Sequence, residues 1–413
     1  MHIAMVSEHA SPLAALGNVD AGGQNLHVAE LSAALCRKGH EVTVYTRHGD
    51  PSQPARRTAP AGYEVVHVPA GPAEPVPRDE LLPYMDEFGD WLHHAWSRSV
   101  PDIVHGHFWM SGLACLRGAT DLGIPVTQTF HALGVVKRRH QGTADTSPAR
   151  RVKLERILGT RVDRVLATCS DEVFELARMG TPHTTMSVVP CGVDLSRFTA
   201  DDTGATTGAP GVPPRRQRHR IVAVGRLVPR KGFDIAIAAL RDLPTTELVI
   251  AGGPRPDELA DDEETSRLLR IARGHGVADR VHITGQIRRD HMPALLRSAD
   301  VVACTPWYEP FGIVPLEAMA SGVPVIVTAV GGLTDTVVDG VTGTLVPAQA
   351  PNALAEAASE LLADPELRRA YGSAGRKRAA SRYSWNRIAA DTQRNYHRVL
   401  AESDEPNERV AAL

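Results

Sequence analysis

The sequence has no excess of either charge: 45 Lys and Arg stand against 48 Asp and Glu in 413 residues, a formal net charge of −3. Without a basic surplus, nothing global draws the chain onto nucleic acid or an anionic membrane surface. Cysteine is scarce and scattered. Cys36, Cys115, Cys169, Cys191 and Cys304 form no CxxC pair and no metal-ligand spacing, which suits a reducing cytosol. No apolar run approaches the roughly 20 residues that cross a bilayer. The opening Met1-His2-Ile3-Ala4 lacks the basic start of a signal peptide, so the expectation is a soluble, cytoplasmic protein. No candidate strand is followed by a GxGxxG fingerprint, which disfavours hydride transfer.

What is present is ordinary globular composition, 43% hydrophobic and 23% charged. The length exceeds one core and implies two α/β domains of roughly 200 residues each. Ile3–Val6 reads as a buried strand, Gln24–Lys38 as a helix stopped by Gly39, and Glu41–Thr46 as the next strand. Further strands are expected at Ile103–His105, Val126–Phe130 and Val165–Thr168. Residues 199–219 have almost nothing to bury and read as a linker. A second series follows: Ile221–Val224, Leu248–Ala251, Val281–Ile283, Val301–Ala303 and Val325–Val327, each ahead of a helix-compatible segment. This alternation predicts two Rossmann-like parallel sheets covered on both faces, in domains 1–198 and 220–384. A last helix within 385–413 is expected to return to the first domain.

Ligands of open α/β sheets bind beyond the carboxyl ends of the strands, so each strand-to-helix loop is a candidate site. Gly22-Gly23-Gln24-Asn25 stands directly ahead of a helix. Its glycines allow close backbone approach and the helix start offers free N–H groups to an anion, although the same glycines also suit a plain turn. Gly225-Arg226-Leu227-Val228-Pro229-Arg230-Lys231-Gly232 follows the first strand of the second series. Arg226 and Lys231 combine a guanidinium fork with a point charge, as a departing diphosphate requires; a solvated basic loop has the same composition. The strongest cluster runs from Glu309 to Gly322. Glu309 lies in a loop and Glu317 eight positions on, with Phe311, Gly312, Ile313 and Val314 presenting helix-start amides between them. Such carboxylates accept from sugar or ribose hydroxyls, but two acids also equip a glycosidase, or merely favour a helix start, and spacing alone does not decide. Asp261-Asp262-Glu263-Glu264 reads as an exposed helix start, and no metal site is expected.

Together these residues resemble the retaining GT-B glycosyltransferases of family 4. The resemblance runs through most of the chain. It rests on Gly22-Gly23-Gln24-Asn25 with His27-Val28-Ala29-Glu30-Leu31, on His105-Gly106-His107 and Thr129-Phe130-His131, and on Pro190-Cys191-Gly192-Val193-Asp194. Gly225-Arg226-Leu227, Glu309…Glu317, Gly331-Gly332 and Gly340-Val341-Thr342-Gly343 complete it. Within the family the chain looks most like the branch holding mycothiol (inositol-phosphate) glycosyltransferases and sucrose-phosphate synthases. The resemblance implies a GT-B fold with two domains facing one cleft. It also implies hexosyl transfer from a nucleotide-sugar, UDP favoured over GDP, by front-face substitution with retention and without metal or cofactor. In that scheme Arg226 and Lys231 hold the diphosphate, over which Gly23, beside Gly22, closes. Glu309 and the amides of Phe311 to Val314 bind the sugar, and Glu317 binds the ribose. Gly285, Gln286 and Ile287 meet the base through their backbone, and His131 sits beside the transferred sugar.

The acceptor is expected to be a sugar, sugar phosphate or cyclitol held by the first domain. Asn25, His107, Arg78 and the basic residues Lys137, Arg138 and Arg151 are the candidates, with a solvated basic face as the alternative. In relatives acting on inositol phosphate, hydroxyl side chains follow the two histidine motifs. Here Phe108 and Ala132 stand there instead, so both phosphorylated and unphosphorylated acceptors stay open. No nucleic-acid partner is expected, a membrane acceptor is disfavoured, and a homodimer is allowed. The rival readings are a non-transferring nucleotide-sugar epimerase or hydrolase, and a silent nucleotide-sugar-binding protein. Retention of Arg226, Lys231, Glu309 and Glu317 argues against silence.

Overall fold

The computed structural model describes residues 1–13, 22–200 and 211–404. The chain forms two compact units, one of residues 1–13, 22–190 and 385–404, the other of residues 191–200 and 211–384. In the first unit, strands β1 (His2–Val6), β2 (Glu41–Arg47), β3 (Arg56–Thr58), β4 (Glu64–Val68), β5 (Ile103–His107), β6 (Val126–Thr129), β7 (Arg164–Ala167) and β8 (Met186–Val188) make one sheet in the order β3-β4-β2-β1-β5-β6-β7-β8. Every pairing is parallel except the short β3 against β4. In the second unit, β9 (His219–Val224), β10 (Thr246–Ala251), β11 (Val281–Gly285), β12 (Val301–Cys304), β13 (Val325–Thr328) and β14 (Gly343–Val346) form an all-parallel sheet in the order β11-β10-β9-β12-β13-β14. Both are the Rossmann-like sheets expected of a GT-B chain. Helices cover them, which is why β9 and β10 are apolar on both faces, with Ile221, Val222, Leu248 and Ile250 all buried.

Strand order decides where ligands can sit. The first sheet reverses direction of growth at β1, whose neighbours are β2 and β5; the second reverses at β9, whose neighbours are β10 and β12. Such switch points leave a crevice at the carboxyl ends, because the connections leave in opposite directions. The loops after β1 and β5 and those after β9 and β12 therefore frame the candidate sites.

The last helix, Trp385–Asp404, packs on Gly23–Arg37 of the first unit, as expected. Tyr396 Oη lies 2.7 Å from His105 Nδ1, and the Trp385 ring meets His27 edge-on at 5.6 Å. The second unit starts earlier than residue 199. Val193 N–H donates to Tyr383 O at 2.7 Å and Val193 bridges Ser384, which carries Cys191–Phe198 into that unit. Of the expected linker, residues 201–210 lie outside the described residues. Its final residue, His219, already belongs to β9.

Candidate active site

Beyond β9 the chain turns through Pro229–Lys231 and stops at Gly232 in the left-handed region, φ +66°. Beyond β12 it runs from Thr305 to Gly312 before the helix Ile313–Ala320. These two loops are bonded to each other. Thr305 Oγ1 donates to Gly232 O at 2.8 Å and Trp307 N–H to Arg230 O at 2.9 Å. Their apposition brings Lys231 Nζ onto Glu309 Oε2 in a short ion pair. A Cβ at Gly232 would stand 1.9 Å from Thr305 O, so Gly232→Ala is expected to force the loops apart. Combined with the positive φ, the loss should exceed about 1 kcal/mol and appear as a lowered urea midpoint.

Burial pushes the Glu309 carboxyl up, but Lys231, Arg230 and Arg226 more than offset it and hold it below the usual carboxylate range. Arg226 itself is exposed, just past Gly225. Glu317 lies on the buried face of its helix and is ion-paired with Arg289. Burial raises its carboxyl and Arg289 opposes the rise. Cys304 ends β12, and its thiol is pushed up to about 12 by burial first, with Lys231 opposing and Glu309 and Glu317 reinforcing. Lys231 and Glu309 thus meet where the loops after β9 and β12 join, and Glu317 is buried on the helix that follows.

Gly312 caps the helix Ile313–Ala320 at φ +93°, and a side chain there would meet Leu333 at 2.4 Å. The first-turn amides of Ile313 and Val314 precede any intrahelical acceptor and remain available to an anion or hydroxyl, with Phe311 buried beside them. Arg289 is the residue that sequence reasoning missed. It lies outside every quoted motif, and its guanidinium also stacks on Phe198 at 4.8 Å. Gly285 ends β11 at the carboxyl edge of the sheet and Gln286 follows it. Gly285 O accepts from Gly252 N–H and Gln286 N–H donates to Pro254 O, both at 2.8 Å; Ile287 comes next, half-buried.

In the first unit, Gly22 caps the helix Gly23–Arg37. Asn25 is committed locally: its Oδ1 accepts from Gly22 N–H at 3.0 Å and its Nδ2 donates to Ser11 O at 2.9 Å. His107 ends β5 and His131 follows β6, and they face each other with Nδ1 and Nε2 3.0 Å apart. His131 adopts φ +60° and Phe108 φ +79°, so each strand ends in a sharp left-handed step.

The comparisons agree across the whole length. Residues 21–197 match the sequence model described as Glycosyltransferase Family 4, and residues 212–378 that of Glycosyl transferases group 1. The D-inositol 3-phosphate glycosyltransferase of Mycolicibacterium gilvum is 36% identical, over 97% of this chain and 90% of that protein. The enzyme of the same description from Xylanimonas cellulosilytica is 37% identical, over 94% of each. The chain belongs to the family 4 glycosyltransferases. Among solved structures, sucrose-phosphate synthase from Thermosynechococcus elongatus superposes with a TM-score of 0.87 at 32% identity, covering 97% of this chain and 99% of that one. An Anabaena protein in complex with UDP and glucose shares the fold, with a TM-score of 0.70 at 18% identity over 96% and 99%.

In this glycosyltransferase the basic stretch predicted to hold an acceptor anion is largely spent on internal carboxylates. Lys137 Nζ lies 3.2 Å from Asp79 and 3.0 Å from Asp145. Arg151 is buried and donates from Nε to Glu155 at 2.7 Å and from Nη2 to Ala132 O at 2.7 Å. Arg78 pairs with Asp79 at 3.1 Å. Arg138 alone of the named set stands exposed.

Proposed function

We propose that this glycosyltransferase moves a hexosyl group from a nucleotide-sugar, a UDP-sugar first, to a small soluble acceptor held by its first unit. The observation that carries this reading is the Lys231–Glu309 ion pair between the loops after β9 and β12, with Glu317 buried on the helix that follows. Arg226 and Lys231 supply positive charge where the diphosphate leaves, so charge stabilisation needs no added metal. Glu309, kept ionised by its cations, accepts from sugar hydroxyls together with the amides of Ile313 and Val314. Glu317 accepts from the ribose. Transfer proceeds on one face with retention, the departing phosphate taking the acceptor proton, so Glu309 is a binding group and His131 a neighbour of the transferred sugar. A donor-by-acceptor screen read by product mass tests this. The expected product is an acceptor heavier by one hexosyl group, with the α-anomeric linkage of an α-linked donor kept. Epimerised sugar or free sugar as the sole product would refute transfer.

Arg289 gives a separate prediction. Removing its charge takes away the main opposition to burial and leaves only Arg197, so the Glu317 carboxyl rises further and is protonated at higher pH. Arg289→Gln should therefore weaken UDP binding about tenfold, within the range of one lost charged hydrogen bond. Its affinity should begin to fall at a higher pH than that of the parent as the solution is acidified. Calorimetry from pH 8 to 5 reads both effects.

A further inference from the structure

The histidines at the ends of β5 and β6 carry their protons in an order that their partners dictate. Thr129 Oγ1 donates its one proton to Leu166 O at 2.9 Å, so toward His105 Nε2, also 2.9 Å away, it can only accept. That puts the His105 proton on Nε2 and leaves Nδ1 to accept from Tyr396 Oη at 2.7 Å. Thr129, His105 and Tyr396 are all buried, and each is satisfied by this one-way chain.

His107 is next in the stack, its ring centroid 4.1 Å from that of His105. It is fully buried, and its two nitrogens differ: Nδ1 lies 3.0 Å from His131 Nε2, while Nε2 has no partner. Burial, reinforced by the neighbouring histidines, keeps both rings neutral at pH 7. The contact therefore holds one proton, and only its direction is open. If His131 donated, the His107 proton would sit on Nε2, buried and without an acceptor. If His107 donates, nothing worse than a lone pair is left idle. A buried N–H without an acceptor is the rarer and less tolerated of the two. The His107 proton thus belongs on Nδ1, and the ring of His131 must carry its own on Nδ1 as well. Of the four clustered histidines, His131 alone is not fully buried.

We propose that His107 is a positioning residue: by donating from Nδ1 to His131 Nε2 it fixes the His131 proton on Nδ1, so that His131 meets the transferred sugar as a hydrogen-bond donor and not as a base. The proposal rests on the reading that sets His131 beside that sugar, and it adds what the imidazole does there.

Two-bond proton–nitrogen spectra of the full chain without ligand test it, the His131 signals being assigned by their loss in His131→Gln. The expected result at pH 7.5 is a proton on Nδ1 and a bare Nε2, the reverse of the form that free histidine prefers. A proton on Nε2, or on both nitrogens, would overturn the proposal. Calorimetry with UDP and UDP-glucose reads the consequence, because His131 is to meet the sugar and not the nucleotide. His107→Leu should weaken UDP-glucose about fivefold, the worth of one hydrogen bond, and UDP less than twofold. His107→Asn, which offers an amide N–H at the place of Nδ1, should recover most of the loss. Equal weakening of both ligands, or of neither, would make His107 a packing residue and overturn its positioning role. Failure of the unaltered chain to bind UDP-glucose would strike the donor reading, while the spectra, taken without ligand, still decide the tautomer.

Discussion

Replacing Lys231 with methionine is expected to slow turnover of bound nucleotide-sugar by about 10²- to 10³-fold, the range for deleting one preorganised charged or hydrogen-bonding group from a developing anion. Methionine keeps the unbranched stem and removes the charge. Two consequences follow from the position of Nζ on Glu309. In the proposed site the diphosphate loses the point charge expected to neutralise it as it leaves. Glu309 loses the first of the three cations that counter its burial, so its carboxyl moves up toward the neutral form and accepts sugar hydroxyls less well. Because the lost interaction grows in the transition state, kcat should fall far more than the donor KM rises. Single-turnover nucleotide release measures the chemical step directly. An unchanged rate with a lowered unfolding midpoint would reduce Lys231 to a structural partner of Glu309.

Acidification from pH 7.5 to 5 is expected to destabilise the first unit by several kcal/mol. Four imidazoles, His27, His105, His107 and His131, are gathered at the ends of β5 and β6 and on the helix Gly23–Arg37. Burial lowers His27 to about 4 and His105 to about 3, and burial aided by neighbouring histidines holds His107 and His131 well below 6.5. Their folded values lie below the unfolded one, so below pH 6.5 the unfolded chain takes up protons that the folded chain refuses. Stability is then full above about pH 6.5 and declines as the pH falls toward 4, where His27 finally titrates in the fold. For His27 alone the shift is worth about 3 kcal/mol at 1.36 kcal/mol per unit. Glu155 and Glu172, raised by burial, act in the opposite sense and only nearer the carboxylate range. Urea midpoints at the two pH values should separate, and His27→Leu should narrow the gap. Coincident midpoints would mean that these imidazoles are not kept neutral.

The alternation of apolar runs was enough to read the two parallel sheets, since strands buried on both faces have continuous hydrophobic sequence. The strands it passed over are those that lack this signature. β3 is fully exposed, β8 and β14 are short and only partly buried, and Glu64–Val68 carries a histidine, His67, as its fourth residue. The Glu309…Glu317 cluster was legible because a loop and the following helix present both acids within one segment. Its partners were less so. Lys231 is 78 residues from Glu309, and only the bonding of their loops brings them together. Arg289 had no motif around it. The partners of the basic stretch from Lys137 to Arg151 were hidden for the same reason: the Asp79 carboxylate beside Lys137 lies 58 residues away, and charge along a sequence does not show its distant partners.

Calorimetric titration of the unaltered protein and of Glu317→Gln with UDP and with GDP is the most direct measurement. The Lys231–Glu309 pair and the buried Glu317, at the carboxyl ends of β9 and β12, predict saturable binding of one of the two nucleotides to the unaltered chain. They predict weakening by about tenfold or more when the buried carboxylate is made neutral. Absence of binding by either nucleotide at millimolar concentration, or equal affinity of the variant, would contradict a nucleotide-sugar site at this switch point.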